Sequence, residues 1–528
     1  MHIAQGLAHA VKVAGNRPAI SCGETTYTWS QFAYRTDCLA RGLAQLGIER
    51  GDRMAVLMLN CHRYFELYYA CARMGAVIVP LNTRLAPPEI AFILNDSEAR
   101  MLIVDQTFAS HASKPQCFSS VQQTVYSGPS TEKAPAGMHH YEHLVQQGAT
   151  RRTSADQVVG EEDLFGVFYT GGTTGRAKGV MLSHQNIISN AMHAIMTIGI
   201  NSRDVYLHAA PMFHLGDLGG AFAITLMGAQ HVFLPAFQPA QILQTIQAPL
   251  GAHRVTITML VPTMINALLN HPEVDSYDVS SLRTLIYAAS PMPIELLKQG
   301  LKKWGQIFVQ GYGMTETAPI LTILPQWDHI VDGTPEQVRR LSSCGKQVLG
   351  VEVRVINARG EEVKPGEIGE IIVRGPNVML GYWRQPEATA EALKDGWMHT
   401  GDLATVDEEH YLYIIDRAKD MIISGGENIY SVEVEQALYT HPAVLEAAVI
   451  GIPHDYWGEA VHAVVVCKPG RQVSSEELIA HARTQIAGYK VPRSIQFRTE
   501  ALPKSGAGKI LKRELREPYW VGKSRNVN

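Results

Sequence analysis

One twelve-residue stretch, YTGGTTGRAKGV at 169–180, combines four glycines, three threonines and a lysine. Glycines let successive backbone N–H groups point into one concavity, threonine hydroxyls add donors, and Lys178 adds a mobile positive charge. The spacing is not that of a Walker loop, because Lys178 precedes Gly179 and no Gly-Lys-Ser/Thr follows. Because the stretch comes directly after the apolar run LFGVF, we interpret it as a polyphosphate-binding loop. A flexible Gly/Thr turn is the alternative.

A second stretch, VQGYGMTET at 309–317, places a carboxylate beside a hydroxyl. Gly311 and Gly313 match part of a dinucleotide fingerprint, but Glu316 occupies the position of its third glycine. A carboxylate next to Thr315 instead suits Mg²⁺ that bridges phosphate oxygens, because magnesium typically takes one or two protein carboxylates plus phosphates. A solvated surface charge is the alternative for Glu316.

Three later segments carry further polar side chains. WMHTGDLA contains Asp402, whose carboxylate can accept hydrogen bonds from paired ribose hydroxyls. DRAKDMIISGGENI contains Arg417, which can bind phosphate or ribose oxygens. LPKSGAGKILKREL places Lys509 at the end of a glycine-rich loop. A surface lysine is usually a solvated charge, but one on a flexible loop could swing into a cleft.

Length and composition limit the class of protein. A chain of 528 residues exceeds what one core usually holds, so we expect at least two domains. The net charge of -4 argues against nucleic acid as the main partner. No apolar run approaches the ~20 residues of a membrane span, and the N-terminus lacks the features of a signal peptide. Seven scattered cysteines without a C-x-x-C pair predict reduced thiols and a cytoplasmic location.

The elements that position these side chains read as α/β. RMAVLMLN at 53–60 is typical of a strand, HRYFELYYACARMG at 62–75 of a helix, and AVIVPLN at 76–82 of a second strand. Such a βαβ unit predicts a parallel sheet. The polar stretch from about residue 110 to 160 reads as loops and short elements, forming a lid or a surface insertion.

The pattern of predicted elements changes toward the C-terminus. From about residue 343, VEVRVI, GEIIVRG and YLYIID predict a small barrel-like unit. After RAKD, two strands with a helix between them, EAAVIGIP and AVHAVVVCKP, precede a helix that opens at Ser474 with a capping box to Glu477. The predicted fold is therefore α/β. It has a large N-terminal domain of parallel-type sheets, 1–416, that includes a β-rich subdomain at about 343–416, and a small mobile α+β C-terminal domain, 417–528, that carries Lys509.

In this order, the five segments resemble the adenylate-forming superfamily of acyl-CoA synthetases, luciferases and peptide-synthetase adenylation domains. The likeness runs from TYTWSQF near residue 27 to GKILKREL near residue 515. The glycine-rich stretch matches the phosphate loop of that family. It departs from the family pattern at Gly171, where serine is common, and at Ala177, where proline is common.

The resemblance implies an ATP site and a Mg²⁺ site, residue by residue. It places Thr170 and Glu316 near Mg²⁺, with Thr315 beside the reacting groups. The residues that it places around ATP are Thr170, Gly171, Gly172, Thr173, Thr174, Gly175 and Lys178 at the phosphates, Ala288, Ala289 and Ser290 at the adenine, Gln310, Gly311, Tyr312, Gly313 and Met314 along the nucleotide and carboxylate sites, and Asp402 and Arg417 at the ribose.

The resemblance also implies a two-step reaction. ATP converts a carboxylic acid into an acyl-adenylate with release of pyrophosphate, and the thiol of coenzyme A then takes the acyl group. Lys509 would stabilise adenylate formation and must then leave, so the C-terminal domain would rotate about Lys419. Ser424, Gly425 and Gly426 would border the pantetheine arm of coenzyme A. The expected partners are a small carboxylic acid, ATP and coenzyme A, and the resemblance leaves a homodimer open.

The segment PMFHLGDLGG corresponds to the border of the acyl pocket. His214 would lie near the mouth and polarise the carboxylate, and a packed core histidine is the alternative. Nearby LVPTMINALL and PILTILP supply aliphatic side chains and no fixed charge, which favours an apolar acid. We expect a medium- or long-chain fatty acid first and an aryl acid of the cinnamate, ferulate or benzoate type second. Asp217 lies three residues too late to select an α-amino acid.

Three other functions share parts of this pattern. The first is an adenylating enzyme that loads a carrier-protein thiol in place of coenzyme A. The second is a luciferase-like oxygenase, and the third is a non-catalytic AMP or acyl-ligand sensor. Glu316, Lys419 and Lys509 argue against the sensor, because a pure binder needs no mobile lysine.

Overall fold

The computed structural model describes residues 1–113, 119–150, 158–170, 177–251, 253–506 and 508–521. Within them the chain is an α/β protein with four sheets. The helices are α1 Ile3–Ala14, α2 Trp29–Gln45, α3 His62–Met74, α4 Pro87–Asp96, α5 Tyr141–Ala149, α6 His184–Ile198, α7 Leu215–Leu226, α8 Pro239–Gln247, α9 Pro262–Leu269, α10 Ile294–Trp304, α11 Pro335–Arg339, α12 Pro386–Ala392, α13 Ser431–Tyr439, α14 Ser475–Arg483 and α15 Lys512–Trp520.

Many of the strands are short. They are β1 Pro18–Cys22, β2 Thr25–Thr28, β3 Arg53–Leu57, β4 Val77–Pro80, β5 Met101–Asp105, β6 Gln123–Ser127, β7 His139–His140, β8 Leu164–Thr170, β9 Lys178–Ser183, β10 Val205–His208, β11 Gln230–Phe233, β12 Ile257–Leu260, β13 Thr284–Tyr287, β14 Phe308–Gly313, β15 Ile320–Leu324, β16 Lys346–Gln347, β17 Glu352–Ile356, β18 Gly369–Arg374, β19 Gly381–Tyr382, β20 Leu393–Lys394, β21 Trp397–Val406, β22 Leu412–Arg417, β23 Ile422–Ser424, β24 Glu427–Ile429, β25 Val444–His454, β26 Gly458–Cys467 and β27 Ser494–Arg498.

The largest sheet has the strand order β16-β15-β14-β13-β12-β10-β11-β1-β2. Its central strands pair in parallel, and β2, β15 and β16 are antiparallel. Strands β12 and β13 are buried along their whole length, as expected for parallel strands that are covered on both faces. Because the carboxyl ends of parallel strands meet at one edge, the segments after β13 and within β14 lie side by side there.

The second large sheet, β19-β9-β8-β4-β3-β5-β6-β7, contains the predicted βαβ unit. Strands β3 and β4 pair in parallel, and α3 connects them. Helix α3 ends at Gly75, whose φ of 66° lies in the left-handed region that glycine enters without steric cost. Strands β8 and β9 form a hairpin in which Thr170 pairs with Lys178, so these two residues mark both ends of the glycine-rich stretch.

The stretch from about residue 110 to 160 is more ordered than the sequence indicates. Its described part contains β6, which extends the sheet in parallel beside β5, and α5, which packs on α2. The prediction of short elements is confirmed there, but that of a lid or a surface insertion was wrong, because β6 and α5 belong to the packed core. Each element packs against the core through a few apolar residues in an otherwise polar segment. In β6 this residue is Val125, and in α5 the residues are Tyr141 and Leu144, all of which are buried.

The strands and helices predicted for the C-terminal part are confirmed apart from one helix. Strands β17, β18, β20, β21 and β22 form an antiparallel sheet, and β23 to β27 form a separate sheet covered by α13 and α14. Strands β25 and β26 pair directly along most of their length, so the helix predicted between them was wrong. The hydroxyl of Ser474 accepts from the backbone N–H of Glu477 at 3.1 Å, which confirms the start of α14.

The described residues also bear on cross-links and membrane spans. Their cysteines are free thiols, as the scattered spacing predicted. Over the same residues, no helix combines the length and the apolar character that crossing a membrane requires.

Candidate active site

The loop that carries Lys509 docks against the N-terminal part of the chain. Nη1 of Arg84 donates to the carbonyl of Ser505 at 3.1 Å, and the hydroxyl of Thr263 donates to the carbonyl of Gly508 at 3.4 Å. Within the loop, the hydroxyl of Ser505 accepts from the N–H of Lys509 at 3.1 Å. Residues of both parts therefore line one cavity of about 1250 Å³, and Lys509 is among them.

The environment of Lys509 disfavours the charged form of its amine. Burial, and next the positive charge of Arg417, lower the pKa of Lys509 to about 8, whereas the negative charge of Asp402 acts in the opposite direction. Three cations, Lys509, Arg417 and Lys419, thus share two nearby carboxylates, Asp402 and Asp420. Such an excess of positive charge in a partly desolvated cavity favours an anionic ligand such as a polyphosphate.

Asp402 and Arg417 face each other across two antiparallel strands. They are directly opposed in the register of β21 and β22. Nε of Arg417 lies 3.1 Å from Oδ1 of Asp402, and the hydroxyl of Tyr312 donates to Oδ2 at 2.8 Å. The hydrogen bond from Tyr312 joins this pair to β14, at the same cavity as Lys509.

Glu316 is buried beside β9, the second strand of the phosphate-loop hairpin. The hydroxyl of Tyr382 donates to Oε1 of Glu316 at 3.0 Å, and burial raises the pKa of this carboxyl. Nζ of Lys178 lies 4.9 Å from the centre of the Tyr382 ring. The hydroxyl of Thr170 is 3.5 Å from the carbonyl of Lys178. Tyr382 therefore links the predicted metal carboxylate to the predicted phosphate lysine.

The predicted adenine and carboxylate residues lie at the carboxyl edge of the large sheet. Ala289 has a φ of 71°, a left-handed backbone that side chains disfavour and that here turns the chain after β13 along the cavity. The set that lines the cavity contains Ala288, Ala289, Ser290, Gln310, Gly311, Tyr312, Gly313, Met314 and Thr315.

His214 begins α7 and has a defined tautomer. Its Nδ1 accepts from the backbone N–H of Gly216 at 3.0 Å, so the ring caps the helix. Burial, and next the charge of Lys509, lower the pKa of His214 to about 4. A neutral imidazole that accepts at Nδ1 carries its proton at Nε2. His214 is thus a hydrogen-bond donor at the cavity and also a structural cap, which joins the two alternatives left by the sequence.

Some predicted residues are not brought to this cavity. Ser424, Gly425 and Gly426 lie in the hairpin of β23 and β24, where the backbone N–H of Gly425 donates to the carbonyl of Trp457 at 2.9 Å. In the C-terminal part, the residues that line the cavity include Lys509 but none of these three. Lys419 lies at the cavity, directly beyond β22. Gly171, Gly172, Thr173, Thr174 and Gly175 lie outside the described residues.

Two side chains of the site were missed by reasoning from the sequence. Tyr382 lies 66 residues from Glu316, to which it donates. Tyr206 lines the cavity from β10. Neither belongs to a glycine-rich or charged segment, so no local pattern marks them. Asp217, which the sequence made a weak candidate for selecting an amino acid, is buried and bonded to His208.

The fold and the site define a nucleotide-dependent ligase in which a C-terminal lysine enters a cavity built by a larger α/β part. Two family models match the chain: "AMP-binding enzyme" over residues 7–383 and "AMP-binding enzyme C-terminal domain" over residues 433–509. The chain belongs to this family of AMP-forming acyl-CoA synthetases, which use ATP and coenzyme A.

Similarity to known proteins extends over nearly the whole chain. A feruloyl-CoA synthase of Amycolatopsis sp is 42% identical over 509 residues, covering 96% of this chain and 97% of that protein. The fatty acid–[acyl-carrier-protein] ligase ScoC of Streptomyces coeruleorubidus is 36% identical, with coverages of 97% and 95%. The ATP-bound crystal structure of MatB from Rhodopseudomonas palustris has a TM-score of 0.86 at 31% identity, covering 98% of this chain and 99% of that one.

Proposed function

We propose that this ligase activates an acid with an apolar body, and that Lys509, His214, Asp402, Arg417 and Glu316 carry the adenylation step. The observation that carries the proposal is the position of Lys509. It approaches from the C-terminal part and lines one cavity together with His214, Asp402 and Glu316. A ligand that spans this cavity would meet a cation, a neutral donor and two carboxylates.

The acyl part of the cavity supports an apolar acid. Ile198, Ile200, Met259 and Ile286 line it together with the aromatic Tyr206, and burial of CH₂ groups or a ring supplies binding free energy of ~0.8 kcal/mol per CH₂. Both a fatty acid and an aryl acid fit this description. The relatives' names point to both classes, with ferulate on one side and fatty acid on the other.

In the first step, a carboxylate oxygen of the acid attacks the α-phosphorus of ATP, and the bond to pyrophosphate breaks. His214 would hold the carboxylate through the proton on Nε2. Lys509 would balance the charge that develops on the α-phosphate, a kind of contact whose loss commonly costs ~10²–10³ in rate. Asp402 would accept from the ribose hydroxyls, and Arg417 would orient Asp402.

In the second step, the thiolate of coenzyme A attacks the acyl carbonyl, and AMP leaves. Lys509 occupies the cavity in the described state, so it must withdraw before a thiol can approach. We propose that the segment after Arg417 turns about Lys419 and presents Ser424, Gly425 and Gly426 to the pantetheine arm. The same proposal sets the domain boundary at Arg417, with 1–416 before it, 417–528 after it and a β-rich subdomain at about 343–416.

The residues present fit a magnesium ion. Glu316 offers a buried carboxylate whose Oε1 accepts from Tyr382, and Thr170 offers a hydroxyl at the end of β8. One protein carboxylate together with phosphate oxygens is a usual ligand set for Mg²⁺. When bound, the ion would neutralise phosphate charge. The roles of the protein side chains given above do not depend on it.

The test is pyrophosphate release with ATP and Mg²⁺ across a panel of carboxylic acids, each with and without coenzyme A. The panel spans C2 to C18 fatty acids, benzoate, cinnamate, ferulate and several amino acids. We expect a rise that depends on coenzyme A and peaks within one class of apolar acid. Release that ignores coenzyme A would instead support a carrier-protein thiol as acceptor, the second candidate, which the relative ScoC favours. A homodimer stays a prediction.

A further inference from the structure

A chain of buried hydrogen bonds lies behind the acyl end of the cavity. Nδ1 of His208 is 2.6 Å from Oδ2 of Asp217, and Nε2 of His208 is 3.0 Å from Nδ1 of His231. The hydroxyl of Thr225 is 3.2 Å from Nε2 of His231. All four side chains are buried. A carboxylate only accepts hydrogen bonds, so His208 donates to Asp217, and the chain of bonds ends on that negative charge.

Tyr206 connects this chain of bonds to the cavity. Its hydroxyl is 3.3 Å from Oδ1 of Asp217. Burial, and next the charge of Asp217, hold the pKa of Tyr206 well above its usual range, so the phenol keeps its proton. That proton is committed to Asp217, and the phenol oxygen is left with its acceptor capacity. Tyr206 lines the cavity, whereas Asp217 and His208 lie behind it.

The face of α7 that lies along the cavity has no side chains at two of its positions. Gly216 and Gly220 both line the cavity. A Cβ on Gly216 would be 3.0 Å from Nδ1 of His214, and a Cβ on Gly220 would be 3.4 Å from the hydroxyl of Tyr206. The two glycines are about 6 Å apart along the helix axis. Between His214 and Tyr206, α7 is therefore open at Gly220, whereas the methyl group of Met259 lies over Gly216, 2.9 Å from the position of a Cβ.

We propose that Tyr206 accepts a hydrogen bond from a ring hydroxyl of the acid, so that this ligase selects hydroxyaryl acids over acids of the same shape that lack the donor. The inference rests on the proposed function and names the substrate class of the same cavity. The carboxylate lies at His214, the ring lies between the methyl group of Met259 and Gly220 of α7, and the hydroxyl meets the phenol oxygen. Asp217 acts as a positioning residue, because it fixes the direction of the Tyr206 proton.

The proposal is tested by kcat/KM for pyrophosphate release with 4-hydroxycinnamate and 4-methylcinnamate, which differ in the donor and little in size. We expect the native enzyme to prefer the hydroxy acid at least ~10-fold, as is typical for a hydrogen bond that a buried group would otherwise lack. Tyr206→Phe should remove most of this preference, mainly by raising KM for the hydroxy acid. The methyl acid should change about 2-fold or less, since it makes no such bond.

Tyr68→Phe is the matched control. Tyr68 is as deeply buried as Tyr206, but its hydroxyl donates to the carbonyl of Met212 at 2.9 Å, away from the cavity lining. We expect this variant to keep the native preference between the two acids. If Tyr206→Phe lowers kcat/KM equally for both acids, or if the native enzyme does not distinguish them, the proposal is wrong.

Two further measurements separate this proposal from the proposed function. Gly220→Ala adds a methyl group next to the Tyr206 hydroxyl while favouring the helix, so it should slow 4-hydroxycinnamate more than butyrate, even where Tyr206→Phe fails to fold. Turnover of fatty acids without any turnover of the two cinnamates would overturn the hydroxyaryl assignment and leave the ligase intact. Absence of pyrophosphate release with every acid would overturn the proposed function itself.

Discussion

Arg417 and Asp402 form a cross-strand pair, with Nε of Arg417 3.1 Å from Oδ1 of Asp402. The other carboxylate oxygen of Asp402, Oδ2, accepts a hydrogen bond from the hydroxyl of Tyr312. Residues directly opposed on antiparallel strands are held close by the backbone itself. The pair thus fixes the proposed ribose-binding carboxylate on one strand and, on the other, the last residue of β22, two positions before the proposed hinge at Lys419.

Asp402→Asn should weaken ATP binding. The amide keeps the shape but loses the charge that Arg417 and two ribose hydroxyls would use, so we expect KM for ATP to rise ~10-fold or more, as hydrogen bonds to charged groups typically require. The measurement is steady-state pyrophosphate release at varied ATP. Asp407→Asn is a matched control in the same sheet, because Asp407 accepts from the hydroxyl of Tyr413 outside the cavity. An unchanged KM in Asp402→Asn would remove the ribose assignment.

Lys509→Ala should separate the two half-reactions. Adenylate formation should fall ~10²–10³-fold because a preorganised cation is lost, whereas thioester formation from preformed acyl-AMP should be largely preserved. Each half-reaction is measured alone by rapid quench. Lys490→Ala, which breaks an ion pair with Glu433 on the same C-terminal part, should affect neither. Equal loss of both half-reactions in Lys509→Ala would contradict the role assigned to Lys509.

The pH profile of adenylation should report Lys509. Its pKa is lowered to about 8, so the amine is charged below pH 8 and loses its proton as the pH rises through that value. We expect kcat/KM for ATP, which reflects the free enzyme, to decline above about pH 8. In Lys509→Arg, which does not deprotonate in this range, the slower residual rate should lose this alkaline decline. A decline that persists in Lys509→Arg would assign it to another group.

Lys419→Pro should impair the second half-reaction. Proline fixes φ, so the turn about residue 419 that withdraws Lys509 would be restricted, while the described state with Lys509 in the cavity would remain accessible. The measurement is single-turnover formation of acyl-CoA from preformed acyl-AMP, compared with Lys419→Ala, which keeps backbone freedom. Slowing of adenylation alone would show that the hinge lies elsewhere.

His214 can be tested through its two nitrogen atoms. Asparagine can still cap α7 but does not place a donor where Nε2 lies, so His214→Asn should keep the melting temperature and raise KM for the acid. His214→Ala should lose the cap as well, with ~1 kcal/mol of stability. Thermal melts and acid-dependent kinetics of both variants distinguish the roles. Unchanged acid kinetics in His214→Asn would leave His214 as a cap alone.

The sequence determined much of the fold and several parts of the site. The unit β3–α3–β4 follows from apolar periodicity and a glycine stop, which are local properties of the chain. Asp402, Arg417 and Lys509 could be named because the order of five segments resembles the adenylate-forming superfamily. The sequence also favoured a fatty acid, because aliphatic residues dominate the segments around the pocket.

Only the tertiary structure decided how these pieces combine. The position of α5 on α2 and the direct pairing of β25 with β26 depend on apolar faces. Such a face can be assigned a partner only when the element that packs against it is known. The donation of Tyr382 to Glu316 and of Tyr206 to Asp217 joins residues whose spacing carries no signal. Local propensity acts over a few residues, whereas hydrogen bonds and burial act over a few ångströms between any two segments that the fold brings together. The residue that we propose to select the acid, Tyr206, is therefore one that the sequence alone did not mark.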